Sequence, residues 1–118
     1  MIAVKGADLL VTISAGPHPL NGAMWNLINK VRAKENTLFH VYTNLVGEEW
    51  GNISFIGGAM AYGPDGWEIA MGPMDKEAMI LVTLNASELY EVRSKSPNIR
   101  DRRPSAYHEL VDFEYPHM

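Results

Sequence analysis

Apolar and polar positions along the chain change period several times. Residues 9–13 are apolar at four of five positions, between Gly6 and Ala15-Gly16-Pro17, which predicts a short strand over 8–14 buried on both faces. After a loop holding Pro17 and Pro19, Asn21 stands as N-cap of a helix starting near Gly22 and running to Asn36. Met24, Leu27, Ile28, Val31 and Glu35 recur at helical spacing, so this largely apolar stripe is expected to lie on a sheet. From Leu38 to Val46 the period drops to two. Strand, helix and strand in that order favour a parallel pair with a right-handed crossover.

Antiparallel pairing is expected next. Residues 53–62 read as one strand that turns at Gly63-Pro64-Asp65-Gly66 and returns over 67–71. The continuous apolar run 78–84 reads as an interior strand. Asn85 with Glu88 three residues on has the form of a capping box, opening a helix to about Lys95 that Pro97 stops. The remainder, 96–118, reads as an extended tail with a short helix around 105–111.

At 118 residues, the chain is sized for one domain over 1–118. With 47% hydrophobic and 20% charged residues and no apolar run of spanning length, it reads as a soluble protein, not a membrane one. There is no cysteine, which excludes disulfides and thiol chemistry, and a cytoplasmic location is expected. A net charge of −4 gives no general attraction to nucleic acid, and the Arg100, Arg102, Arg103 cluster is expected to pair with Asp101 and other acids.

Four short motifs occur in order: Arg32-Ala33-Lys34-Glu35-Asn36, a strand closing at Asn44, Gly57-Gly58 with Pro64-Asp65-Gly66, and Arg100-Asp101-Arg102-Arg103-Pro104 followed by Tyr107. Together they resemble the C-terminal portion of the nitrilase superfamily of carbon-nitrogen hydrolases. The resemblance implies an α/β fold that is part of an α-β-β-α sandwich: one mixed sheet, helices on one face, and the second face covered by a partner chain. It implies amide, nitrile or N-carbamoyl hydrolysis by a glutamate, a lysine and a cysteine that align upstream of Met1. Alone, this chain is expected to be inactive. The alternative is a non-catalytic, homo-oligomeric binding or structural remnant.

Among single residues, His18 and Asn44 are placed by the resemblance at the border of a substrate pocket. For Asn44, backbone hydrogen bonds that hold neighbouring loops are the expected role. Arg32, Glu35, Asn36, Gly57, Gly58, Pro64, Gly66, Arg102 and Arg103 are expected to be structural, with Arg32 and Glu35 able to pair. Ala59 stands where many relatives carry serine. His40, Glu48 and Glu49 lack ligand spacing, so neither a metal nor a cofactor is expected. No serine lies in Gly-x-Ser-x-Gly, and no phosphate-binding glycine motif occurs.

The half-sandwich has an energetic consequence. Five strands about 17 Å long and about 4.8 Å apart present a face of roughly 400 Å². Leaving it wet forgoes roughly 10 kcal/mol, comparable to a domain's net stability. A homodimer joined sheet to sheet, or a separately encoded N-terminal half, is therefore expected to cover it.

Overall fold

A computed structural model describes residues 1–17, 22–49 and 51–107. Strand β1 (Leu9–Ser14) is followed by helix α1 (Gly22–Asn36) and β2 (Phe39–Asn44), which lies parallel to β1 with Leu9 opposite Phe39 and Ser14 opposite Asn44. This is the expected crossover unit. Next come β3 (Val46–Glu49), β4 (Ile53–Ile56), β5 (Met60–Tyr62), β6 (Glu68–Met71) and helix α2 (Ala86–Lys95). A four-stranded mixed sheet has the order β1-β2-β5-β6, and β3 pairs with β4 in a separate ribbon.

The predicted strand over 53–62 is in fact two strands in two sheets. Gly57 and Gly58 both adopt positive φ, +67° and +74°, a region open to glycine at little cost, and there the chain leaves the β3-β4 ribbon for the main sheet. The expected turn closes β5 onto β6, with Gly66 N–H donating to Gly63 C=O at 2.9 Å and Gly63 N–H to Trp67 C=O at 2.8 Å. Pro64 is buried in that turn.

One face of the main sheet carries the core. Tyr42, Met60 and Tyr62 meet Ala33 of α1, with Trp25 stacked on Tyr42 at 5.9 Å between ring centroids. The helix stripe expected here is the wrong one. Asn29 and Ala33 point inward, whereas Met24, Leu27 and Val31 are 47%, 56% and 46% exposed. Small and polar side chains on the inner stripe let α1 sit close to two tyrosines and a histidine, so the apolar outer stripe misleads.

The other sheet face is bare at β1. Burial alternates along this strand, correcting the expectation of a strand covered on both faces: Leu9, Val11 and Ile13 are 43%, 56% and 83% exposed. β1 is an edge strand, and only the α1 side of it is covered. Residues 78–84 correct a further expectation. Met79, Leu81 and Thr83 are exposed and Ile80, Val82 and Leu84 half-buried, and the segment joins no ladder among the described residues.

Helix α2 is capped as expected at its start, where Asn85 Oδ1 accepts from Ser87 N–H at 3.0 Å, although Glu88 makes no return bond to Asn85. Its position is fixed by Arg93, which donates to Asp8 Oδ1 at 2.6 Å, Ala7 C=O at 2.7 Å and Thr37 C=O at 3.0 Å. In the tail, Pro104–Tyr107 forms a 3-10 turn, and the rest of the helix expected around 105–111 lies outside the described residues. No described helix is long and apolar enough to cross a membrane.

Candidate functional site

Where β2, β4 and β6 end, the chain encloses an open cavity of about 560 Å³. Asn44 and Val46 form one wall, Gly57, Gly58 and Ala59 a second, and Gly72, Pro73, Lys76 and Glu77 a third. The position is apt, since ligands of open α/β sheets bind beyond the carboxyl ends of parallel strands. Backbone hydrogen bonds tie the walls together: Gly57 N–H to Leu45 C=O at 2.8 Å, Gly58 N–H to Pro73 C=O at 3.3 Å, and Gly72 N–H to Ala59 C=O at 2.7 Å. A Cβ on Gly58 would lie 2.6 Å from Met74 Sδ, so the glycine also allows that close approach.

Asn44 fixes the rim. Its Oδ1 accepts from Gly16 N–H at 2.8 Å, and its Nδ2 donates to Gly16 C=O at 3.2 Å. One amide thus clamps the loop that leaves β1 to the end of β2, while Asn44 also lines the cavity. His18 lies outside the described residues. The cavity wall holds no thiol, hydroxyl or imidazole among the described residues, and the chain has no cysteine. This surface can bind and orient a ligand, but it lacks the activated nucleophile that attack on a carbonyl needs.

The motif residues are placed apart from the cavity, except for Asn44 and the glycine pair. Arg32 and Glu35 are both exposed on α1 and form no ion pair with each other, so the pairing expected for them is absent. Asn36 Nδ2 instead donates back to Arg32 C=O at 2.9 Å, and Glu35 C=O accepts from Asn98 Nδ2 at 3.3 Å. Gly66, at φ +84°, brings its turn against Lys34, where an added Cβ would sit 3.0 Å from Lys34 Cβ. In the arginine cluster, Arg100 pairs with Asp101 at 3.2 Å, Arg102 Nε donates to Ile99 C=O at 2.9 Å, and Arg103 C=O accepts from Ala106 N–H at 2.9 Å. No three described acidic or histidine side chains gather into a metal site.

Sequence reasoning missed a buried polar link under α1. His40 is fully buried, with Nδ1 3.1 Å from Asn29 C=O and Nε2 2.9 Å from Thr12 Oγ1. A carbonyl only accepts, so Nδ1 carries the proton and Nε2 accepts from the Thr12 hydroxyl. Burial pushes the His40 pKa below its usual value, the Asn29 carbonyl opposes this, and the charge of Arg32 adds to the lowering. Beside it, burial and then Glu68 push the Tyr62 phenol up to about 12. The sequence signal was slight: a histidine inside an apolar strand, opposite neither acid nor ligand.

The carbon-nitrogen hydrolase family model matches residues 1–94. A Schizosaccharomyces pombe protein named "Probable nitrilase" is 33% identical over 110 residues, which are 92% of this chain and 40% of that protein. A Pseudomonas protegens protein named "Hydrolase in pqqF 5′region" is 32% identical over 109 residues, 92% of this chain and 37% of its own. The crystal structure of a carbon-nitrogen hydrolase from Helicobacter pylori G27 superposes with a TM-score of 0.78 at 28% identity, covering 92% of this chain and 42% of that one. The chain therefore spans about two fifths of the length of each of these relatives.

Proposed function

Since the chain belongs to the carbon-nitrogen hydrolase family, we propose that it acts as the C-terminal portion of such an enzyme, hydrolysing amide, nitrile or N-carbamoyl bonds only when an N-terminal portion supplies the nucleophile. The observation that carries this reading is a cavity walled by Asn44, the glycine pair and Lys76 in a chain with no cysteine. Its residues hold the substrate end of the pocket: the Asn44 clamp sets the loop after β1, and the glycines leave the cavity open. Bond cleavage belongs to the N-terminal portion. A cytoplasmic setting is part of this reading.

The test is direct. The purified chain is expected to give no turnover of a panel of simple amides and nitriles, and turnover is expected to appear when it is co-expressed with an N-terminal portion of a relative. Turnover by the chain alone, following its monodisperse peak, would refute the proposal. The bare face of Leu9, Val11 and Ile13 supports a second reading, a non-catalytic homodimer joined sheet to sheet, which sedimentation of the chain alone distinguishes.

A further inference from the structure

At the amino ends of β1 and β2, the end of the sheet opposite Asn44, lies a second cavity of about 360 Å³, within the size range of small-molecule sites. Val4, Pro97 and Ile99 give it an apolar wall, and Thr37, Arg93 and Arg100 are the polar side chains of its lining. Gly6 borders open space there: at φ +91°, a Cβ added to it would meet nothing within 4 Å.

The backbone's needs do not explain Thr37. It follows the last residue of α1 with φ +46°, a region that a β-branched side chain rarely enters. Its N–H donates to Lys34 C=O at 3.3 Å and Leu38 N–H to Ala33 C=O at 3.2 Å, a helix end at which glycine commonly stands. Thr37 is 2% exposed, and its hydroxyl has no hydrogen-bond partner among the described residues, where the residue's side-chain partner, Arg93, binds its C=O instead. Sealed polar atoms without a partner are Trp25 Nε1 and Tyr42 Oη among the described residues; the Thr37 hydroxyl is not one of them, so it keeps an opening, which the cavity supplies. A strained backbone that holds an idle hydroxyl at a cavity wall points to a ligand.

The two arginines say which kind. A guanidinium carries five N–H groups. Arg93 uses three, on Asp8, Ala7 C=O and Thr37 C=O, and Arg100 uses its Nε on Asp101, so both keep donors in hand. Asp8 and Asp101 offset part of the charge, but neither lines the cavity, and no acid does among the described residues. We infer that this cavity binds a short-chain monocarboxylate: its planar anion takes paired donors from a guanidinium, the Thr37 hydroxyl donates to it, and its alkyl part covers Val4, Pro97 and Ile99. Phosphate, with up to two charges and no apolar part, suits this wall less well. The inference is independent of the reading under Proposed function.

The experiment is titration of the labelled chain with sodium butyrate, read in amide proton–nitrogen NMR spectra. The expected result is saturable movement of the Gly6, Thr37 and Ile99 peaks, with half-saturation at or below about 10 mM. Butyramide and inorganic phosphate should each bind at least about tenfold more weakly. Arg100→Gln, at an exposed side chain, should weaken butyrate about tenfold, and Thr37→Gly should do the same while raising the urea midpoint. No saturable movement at these peaks, or movement confined to Asn44 and Gly58, overturns the inference. So does equal binding of butyramide or phosphate, and so does a Thr37→Gly chain that is more stable and binds butyrate as tightly as the wild type.

Discussion

His40 shows how a single side chain ties stability to pH. Its folded pKa lies below the unfolded value of about 6.5, so the native state binds fewer protons than the unfolded chain in that region. The contribution is complete above about pH 6.5 and is lost as pH falls toward the folded pKa, by at most about 1.4 kcal/mol per pH unit. Urea midpoints at pH 7.5 and 5.5 check this: the wild type should lose stability on acidification, and His40→Gln should lose clearly less. Equal losses in both would mean that other groups govern the acid limb. Asn44 was legible in the sequence because an amide at a strand's end has a short menu of uses, whereas His40 was not. Its partners Thr12 and Asn29 are 28 and 11 residues away, and only the fold brings them to it.

Among the elements, α2 is held by its buried Leu89 and by Arg93. Arg93 makes three hydrogen bonds to the segments flanking β1 and the end of α1. Its ion pair with Asp8 is partly exposed, so its worth is modest, and the two bonds to backbone carbonyls should matter more. Arg93→Met is expected to lower global stability by about 1–2 kcal/mol and to speed amide exchange in α2 more than in β2. Exchange speeded equally in α2 and β2 by this variant would remove the special role given to this contact. The boundaries of α1, β2 and α2 were legible from period changes and the Asn85 cap. The strand reading fails at 78–84 for a physical reason: a continuous apolar run marks a segment suited to burial, while a ladder also needs a neighbour. Periodicity fails on α1 because the inner stripe is Trp25, Asn29 and Ala33, and an apolar count selects the outer one.

For the whole molecule, the uncovered sheet face is the dominant property. The side chains of Val11 and Ile13 contribute little to the isolated fold, since 56% and 83% of each stays in water. The double variant Val11→Thr, Ile13→Thr keeps strand propensity and should move the urea midpoint of the monomer by no more than the equivalent of about 0.5 kcal/mol, while reducing binding of an apolar dye. A loss above about 2 kcal/mol would mean that this face is already packed within the chain. That the family's architecture was readable from four short motifs, while the bare face was readable only as an area estimate, reflects what each depends on: motifs are local, and exposure belongs to the assembled surface. The Asn44 clamp on Gly16 has a consequence for whatever fills the cavity. Because both polar groups of that amide are already engaged, little ordering entropy is left to spend at that spot when the cavity is occupied, much as a key enters a finished lock.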